Sequence, residues 1–235
     1  MTSRPLQRTL SSGSRWRRNS GPRRNLGVAT APTDYITLPR AFYARPTLEV
    51  AEDLIGKVLV HETRAGVTAG AIVEAEAYIG ESDPACHAAP GPTARNAPLY
   101  GPPGVAYVYL NYGIHYLVNA VTEPKGSPAA VLIRALEPVE GEVLMRRRRS
   151  RGTGRAPATF TAHELCRGPG NLTRALGITL AHNHSDLTSG ILRIEDRHLP
   201  ERKVSWSRRI GINVGVEAEW RVYDPESAAV SGQKR

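Results

Sequence analysis

Val105-Ala106-Tyr107-Val108-Tyr109-Leu110-Asn111-Tyr112-Gly113-Ile114-His115-Tyr116-Leu117-Val118-Asn119-Ala120-Val121 is the stretch from which the fold can be read. Residues that favour strands flank Asn111-Tyr112-Gly113 on both sides, which predicts two β-strands joined by a tight turn. Asn111 and Gly113 tolerate a positive φ, so the reversal is expected there. Tyr112 then sits at the tip of a hairpin, where a large ring in water stabilises nothing. Two readings follow: a neighbouring loop covers it, or it is an exposed wedge for a partner such as stacked nucleic-acid bases. Tyr107 and Tyr109 are two apart and project from one face. Asn119 lies among Leu117, Val118, Ala120 and Val121, where its amide needs hydrogen-bond partners. It is either a structural cross-link or a pocket residue that checks a polar ligand.

The chain has 235 residues and a formal charge of +9. One compact domain is the simplest count for that length. The charge is unevenly spread: residues 1–33 hold seven arginines and no acid, leaving 24 basic against 22 acidic side chains elsewhere. That segment is rich in Arg, Ser, Gly and Pro and is expected to be a disordered basic arm. The domain proper is expected over residues 34–226, with a flexible tail at 227–235. A second basic cluster, Arg146-Arg147-Arg148-Arg149 with Arg151 and Arg155, reads as a solvated face or as a site for phosphates. Two cysteines, Cys86 and Cys166, fit a reducing compartment rather than a disulfide framework. With no membrane-length apolar run and no secretory signal, the expectation is a cytoplasmic, membrane-free protein.

Along the chain, Thr47 is expected to cap a helix over residues 48–55 that ends at Gly56. Residues 57–61 read as a strand, 64–70 as a turn region and 71–79 as a second strand. Strict alternation along that second strand puts Val73, Ala75, Ala77 and Ile79 on one face and Glu74, Glu76 and Tyr78 on the other. Residues 82–103 form a long segment of the kind that usually binds something. Residues 129–135 are a buried strand, and Pro138 is expected to open a helix running to about Arg149. Short helices follow at 161–166 and from Gly168-Pro169-Gly170-Asn171 to Gly177. Strands are expected at 191–194, 210–216 and 220–223. The glycines at 168 and 170 leave a weak signal for a phosphate site.

Common catalytic signatures are missing: there is no phosphate loop, dinucleotide fingerprint or serine elbow. His182, His184 and Asp186 have metal-ligand types but no completing cluster, so no metal is expected. Cys86 beside His87 is a poor nucleophile and base pair, because neighbours in a chain point apart. Glu76 is a good place for a general base, flanked by alanines and sharing a face with Tyr78. Its bland alternative is a solvent-facing glutamate, and Glu74 on the same face is a candidate for that. Local pattern does not choose between them.

Several motifs resemble the alkyladenine (3-methyladenine) DNA glycosylase family. They are Val73-Glu74-Ala75-Glu76-Ala77-Tyr78, His87, Thr93-Ala94-Arg95-Asn96, Tyr107-Val108-Tyr109 through Tyr112-Gly113 to Asn119, Val131 to Pro138, Glu164 to Leu172 and Arg209-Ile210-Gly211-Ile212. The resemblance runs in unbroken order over about residues 38–223. It implies a mixed α+β fold, with one compact domain on a curved antiparallel β-sheet, surrounding helices and a protruding β-hairpin. It implies a bacterial-type, monofunctional glycosylase that flips alkylated or deaminated purines out of double-stranded DNA and hydrolyses the N-glycosidic bond with water. By position, Glu76 would be the base, with Arg134 and the carbonyl of Ile210 holding the water. Tyr78, His87 and Tyr109 would stack on the flipped base, and Asn119 would crowd the 2-amino group of guanine. Tyr112 would fill the vacated stack, Ile114 and His115 would lie in the groove, and Arg95, Gly170 and Asn171 would contact phosphates. No cofactor is implied, and a monomer is expected. The chain departs from the family pattern at Ala106, Asn111 and His115. A non-catalytic nucleic-acid-binding module stays open beside this reading, as does an esterase or amidase.

Overall fold

A computed structural model describes residues 35–232; the basic arm expected at 1–33 lies outside the described residues. The architecture is α+β, built on one open antiparallel sheet. Its spine is β3 (Gly66–Ile79), paired along its length with β6 (Ala129–Glu140). On the other side β3 pairs first with β2 (Val58–Thr63) and then, from Glu74 to Glu76, with β9 (Arg221–Tyr223). Outward from β2 come β7 (Leu192–Asp196) and β1 (Ile36–Thr37); outward from β6 come β5 (His115–Val121) and β4 (Ala106–Asn111). The strand β8 (Ser205–Ser207) pairs with β9.

The alternation expected along β3 fails at one place, and the failure makes the site. Pairing steps from Ile72↔Leu136 to Glu74↔Ala135, then to Ala75↔Ile133. Val73 is thus an extra residue on β3 and Arg134 an extra residue on β6. Each bulge puts two successive residues on one side of the sheet, where regular pleating would separate them. Val73 therefore leaves the face of Ala75 and Ala77, and packs with Ala135, Tyr223, Ala229 and Val230.

One face of the sheet carries the main core. Ile72, Ala75, Ala77, Val108, Val118, Ala120, Val131 and Ile133 meet helices packed above them. Those helices are α2 (Thr47–Asp53), α3 (Glu142–Ser150), α4 (Ala162–Leu165) and α5 (Pro169–Leu176), with the short α1 (Arg40–Tyr43) beside α2. The opposite face near β3 and β4 is covered by loops, and it is there that polar side chains collect.

Several local expectations are corrected. Thr47 lies inside α2 instead of capping it, its hydroxyl spent on Glu123 (2.6 Å) and Thr122 (2.9 Å). Only Arg64 and Ala65 turn, so β3 begins at Gly66. Pro138 continues β6, opposite Gly70 at an irregularity where its missing N–H costs no regular ladder bond. The helix starts instead after Gly141, whose φ of +77° and whose Cα facing the Val67 carbonyl admit no side chain. Residues 210–216 form no strand, because the Ile210 N–H is taken by Glu76. The expected flexible tail at 227–235 is packed in its first part: Ser227, Ala229, Val230 and Ser231 are buried, with Ser231 bonded to Glu74. Residues 233–235 lie outside the described residues.

Candidate active site

Glu74 and Glu76 are both fully buried, so exposure does not separate them. Their hydrogen bonds do. A carboxylate offers about four acceptor positions. Glu74 receives four donors, three crowded on Oε1 (Arg134 Nε 3.1 Å, Arg221 Nε 2.7 Å, Ser231 Oγ 3.0 Å) and one on Oε2 (Ser231 N 2.6 Å). Glu76 receives three: Ile210 N on Oε1 (2.7 Å), and Tyr78 OH (2.9 Å) and Arg134 Nη1 (3.2 Å) on Oε2. One acceptor position therefore remains on Oε1. Glu74 is not the solvent-facing glutamate that strand parity allowed; it is the anchor that fixes Arg134 for Glu76.

Burial raises the Glu76 pKa above the ordinary carboxylate value, while Arg134, the Ile210 amide and the Tyr78 hydroxyl oppose that rise. For Arg134, burial works against the charge, and Glu76 and Glu74 more than restore it. The two acids with Arg134 and Arg221 make a neutral, closely bonded group in the sheet.

A cavity of about 430 Å³ opens beside this group. Glu76 contributes no surface to it; Tyr78, Arg134 and Ile210, the three groups that hold its carboxylate, do. The far wall is aromatic. His87 packs edge-on to Tyr109 at 4.5 Å, and Tyr109 lies 5.2 Å from Tyr107, the partner on its own face of β4. His87 Nδ1 meets Tyr107 OH at 2.8 Å. Burial, followed by Arg95, lowers the His87 pKa, so its ring is neutral at pH 7 and does not repel a cation. Asn119 also lines the cavity, and its Nδ2 donates to Tyr107 O across the β4–β5 pair (2.9 Å). Asn119 thus cross-links β4 to β5 and also lines the cavity.

The loop over residues 82–103 is fixed by Asn96, whose amide donates to His87 O (2.7 Å) and Gly91 O (2.8 Å) and whose Oδ1 accepts from Thr93 N (2.6 Å). This presents exposed Arg95, its guanidinium 5.7 Å from the Tyr109 ring centre, at the cavity rim. The Cys86–His87 nucleophile reading fails on geometry: Cys86 Sγ accepts from Ala88 N, and burial pushes its thiol up to about 11. His182, His184 and Asp186 are likewise dispersed, with Asp186 held by Arg40 and Thr188 and His182 by Thr179.

Local pattern missed the clamp behind Tyr78. Arg209 makes a two-pronged pair with Asp83 (2.6 and 2.8 Å) and lies between the rings of Tyr78 (4.7 Å) and Trp220 (5.0 Å). It thereby holds the Tyr78 ring in the cavity wall and fixes its neighbour Ile210. Nothing in the spacing of Asp83 announced this partner, 126 residues away.

At the hairpin tip, Tyr112 is 84% exposed, which removes the covered-turn reading. Positive φ falls on Tyr112 (+48°) and Gly113 (+69°), with Ile114 N bonding Asn111 O, so Asn111 stays in the strand. The register pairs Asn111 with His115, so three residues, Tyr112, Gly113 and Ile114, make the connection. Ile114 is also exposed. The His115 ring covers Gly170, where an added Cβ would lie 2.7 Å from it. Asn171 is engaged by Arg149 and by Arg167 O.

A family model described as methylpurine-DNA glycosylase matches residues 41–228. A protein of Methanocella arvoryzae, provisionally named a 3-methyladenine DNA glycosylase, is 50% identical over 198 residues, covering 83% of this chain and 95% of its own. Similarly named proteins of Chlorobium phaeobacteroides (48% identical, 82% and 94% covered) and Bradyrhizobium diazoefficiens (49%, 78% and 85%) match as well. The chain belongs to the methylpurine-DNA glycosylase family, and is thus a DNA glycosylase, a hydrolase of N-glycosyl bonds that serves DNA repair.

Proposed function

We propose that this protein flips alkylated and deaminated purines from duplex DNA into the cavity and hydrolyses the glycosidic bond by direct attack of water, acting as a monomer. The observation that carries the reading is the single open acceptor position on Glu76, a buried carboxylate whose other three donors all reach the cavity wall or its rim. Arg134 Nη1 lies 3.4 Å from the Ile210 carbonyl, so a donor and an acceptor stand together in the cavity wall beside buried Glu76, where they would hold the attacking water. Water donates one proton to Glu76 and its oxygen bonds to C1′. The bond from C1′ to the purine breaks, and the base leaves with the electron pair. An N-alkylated purine is already cationic and leaves neutral; hypoxanthine needs a proton as it departs.

The aromatic walls suit this substrate class. Tyr78 on one side and His87 with Tyr109 on the other offer ring faces that attract a cationic base. Extruding a nucleotide costs a few kcal/mol, and exposed Tyr112 at the hairpin tip fills the gap it leaves. Ile114 and His115 follow it along the groove, and Arg95 reaches a phosphate beside the opening. The test is release of free purine, with abasic sites in the product, from methylated duplex and from duplex with a single hypoxanthine. Binding without release from either would leave a non-catalytic DNA-binding module.

A further inference from the structure

The arginine cluster of α3 is only partly explained by internal bonding. Arg146 pairs with Glu142, and Arg149 stacks on Phe160 and bonds Asn171. Arg148 donates to Leu176 O (2.6 Å) and Ala175 O (3.2 Å), closing the C-terminal end of α5. Arg151 and Arg174 are exposed and have no acid beside them among the described residues; Arg174 Nε donates to the Arg148 carbonyl (3.4 Å). Together with Arg148 they line a groove of about 400 Å³ whose opposite wall is Ile114 and His115 of the hairpin. Among the described residues, no Asp or Glu contributes to its lining. The Arg174 guanidinium reaches the chain at Gly152, next to Arg151, with Nη2 3.8 Å from where a Cβ there would stand.

Helix dipoles do not account for this gathering. Two helix C-termini converge here and together offset about one positive charge. Three arginines share the groove, so an uncompensated excess remains. Burial and Arg151 lower the Arg148 pKa, and burial with Arg174 and Arg155 does the same for Arg149, as expected of crowded like charges. A polyanion relieves that repulsion, and the groove starts at the hairpin whose tip carries Tyr112.

We propose that the groove between the hairpin and the ends of α3 and α5 is a phosphate site for the DNA backbone, with Arg151 and Arg174 as its contacting groups and Arg148 as its fixed floor. It acts on damaged and undamaged duplex alike, since phosphates carry no sequence information. The inference rests on the glycosylase reading for its ligand but not for its test. Each neutralised phosphate contributes about 0.9 to the slope of log affinity against log salt.

The experiment measures binding of the full chain to an undamaged duplex between 50 and 200 mM salt. R151A/R174A is expected to lower the slope by about 1.8, so the fourfold rise in salt costs wild type about twelvefold more affinity than the variant. R147A, an exposed arginine of the same helix outside the groove, serves as control and should leave the slope near wild type. Equal slopes in R151A/R174A and wild type, or an equal fall in R147A, overturn the proposal. Wild-type protein that binds with the expected slope but releases no purine would overturn the catalytic reading and leave the groove standing.

Discussion

Glu76→Gln and Glu74→Gln, made separately, test the division of labour between two buried carboxylates two residues apart. Glu76→Gln keeps size and can still accept from the Ile210 N–H, but cannot take a proton from water. General-base catalysis contributes ~10²–10⁴ in rate, or about 2.7–5.4 kcal/mol of barrier. Arg134 loses one charged partner at 3.2 Å and keeps Glu74 and Ser231, so the stability cost is about 1–2 kcal/mol. Glu74→Gln instead strips charge from a site that binds two buried guanidiniums and puts an amide against donors that need acceptors. Breaking such a buried pair costs about 3–5 kcal/mol. In a chain this size, 1 kcal/mol moves Tm by about 2–4 °C. Glu74→Gln is therefore expected to lose roughly 6–20 °C, and Glu76→Gln only about 2–8 °C. The assay pairs single-turnover excision on methylated duplex, enzyme in excess, with a thermal melt. Glu76→Gln must have the larger rate loss and Glu74→Gln the larger drop in Tm. If the order were reversed, or if Glu76→Gln excised within tenfold of wild type, the base assignment would be refuted.

Two other outcomes follow from the same geometry. Tyr112→Gly removes the wedge and also the positive φ of a bulky residue, which costs about 1–2 kcal/mol, against about 0.5–1 kcal/mol for the freer unfolded glycine. Tm should hold or rise by up to about 6 °C, while the brightening of a fluorescent base analogue on extrusion is lost; a retained signal would take the wedge role from Tyr112. For pH, Glu76 must be ionised to act, and burial holds its pKa above the ordinary value of 4.5. Excision should therefore rise with pH along a limb centred above 4.5, and a limb centred below that value would count against Glu76 as its source.

The pattern of residues alone determined the hairpin, the shared face of Tyr107 and Tyr109, and the placing of Glu76 and Tyr78 on one side of a strand. These are local matters of turn chemistry and a period of two. The ordered run of motifs was enough to point to the family, and with it to the chemistry. What local pattern did not determine was how the two glutamates are held, and so which of them the proposed chemistry can use. That choice rests on Arg221, Ser231 and the Ile210 amide, which approach from 134 to 157 positions away. It also rests on paired bulges at Val73 and Arg134, which break the alternation that sequence reading relies on. Pro138 and residues 210–216 were misread for the same reason: a proline tolerated at a strand irregularity, and an apolar run whose backbone serves a carboxylate instead of a ladder. The α3 arginines divide likewise only in three dimensions, because the carbonyls of α5 occupy Arg148 and leave Arg151 and Arg174 to the groove.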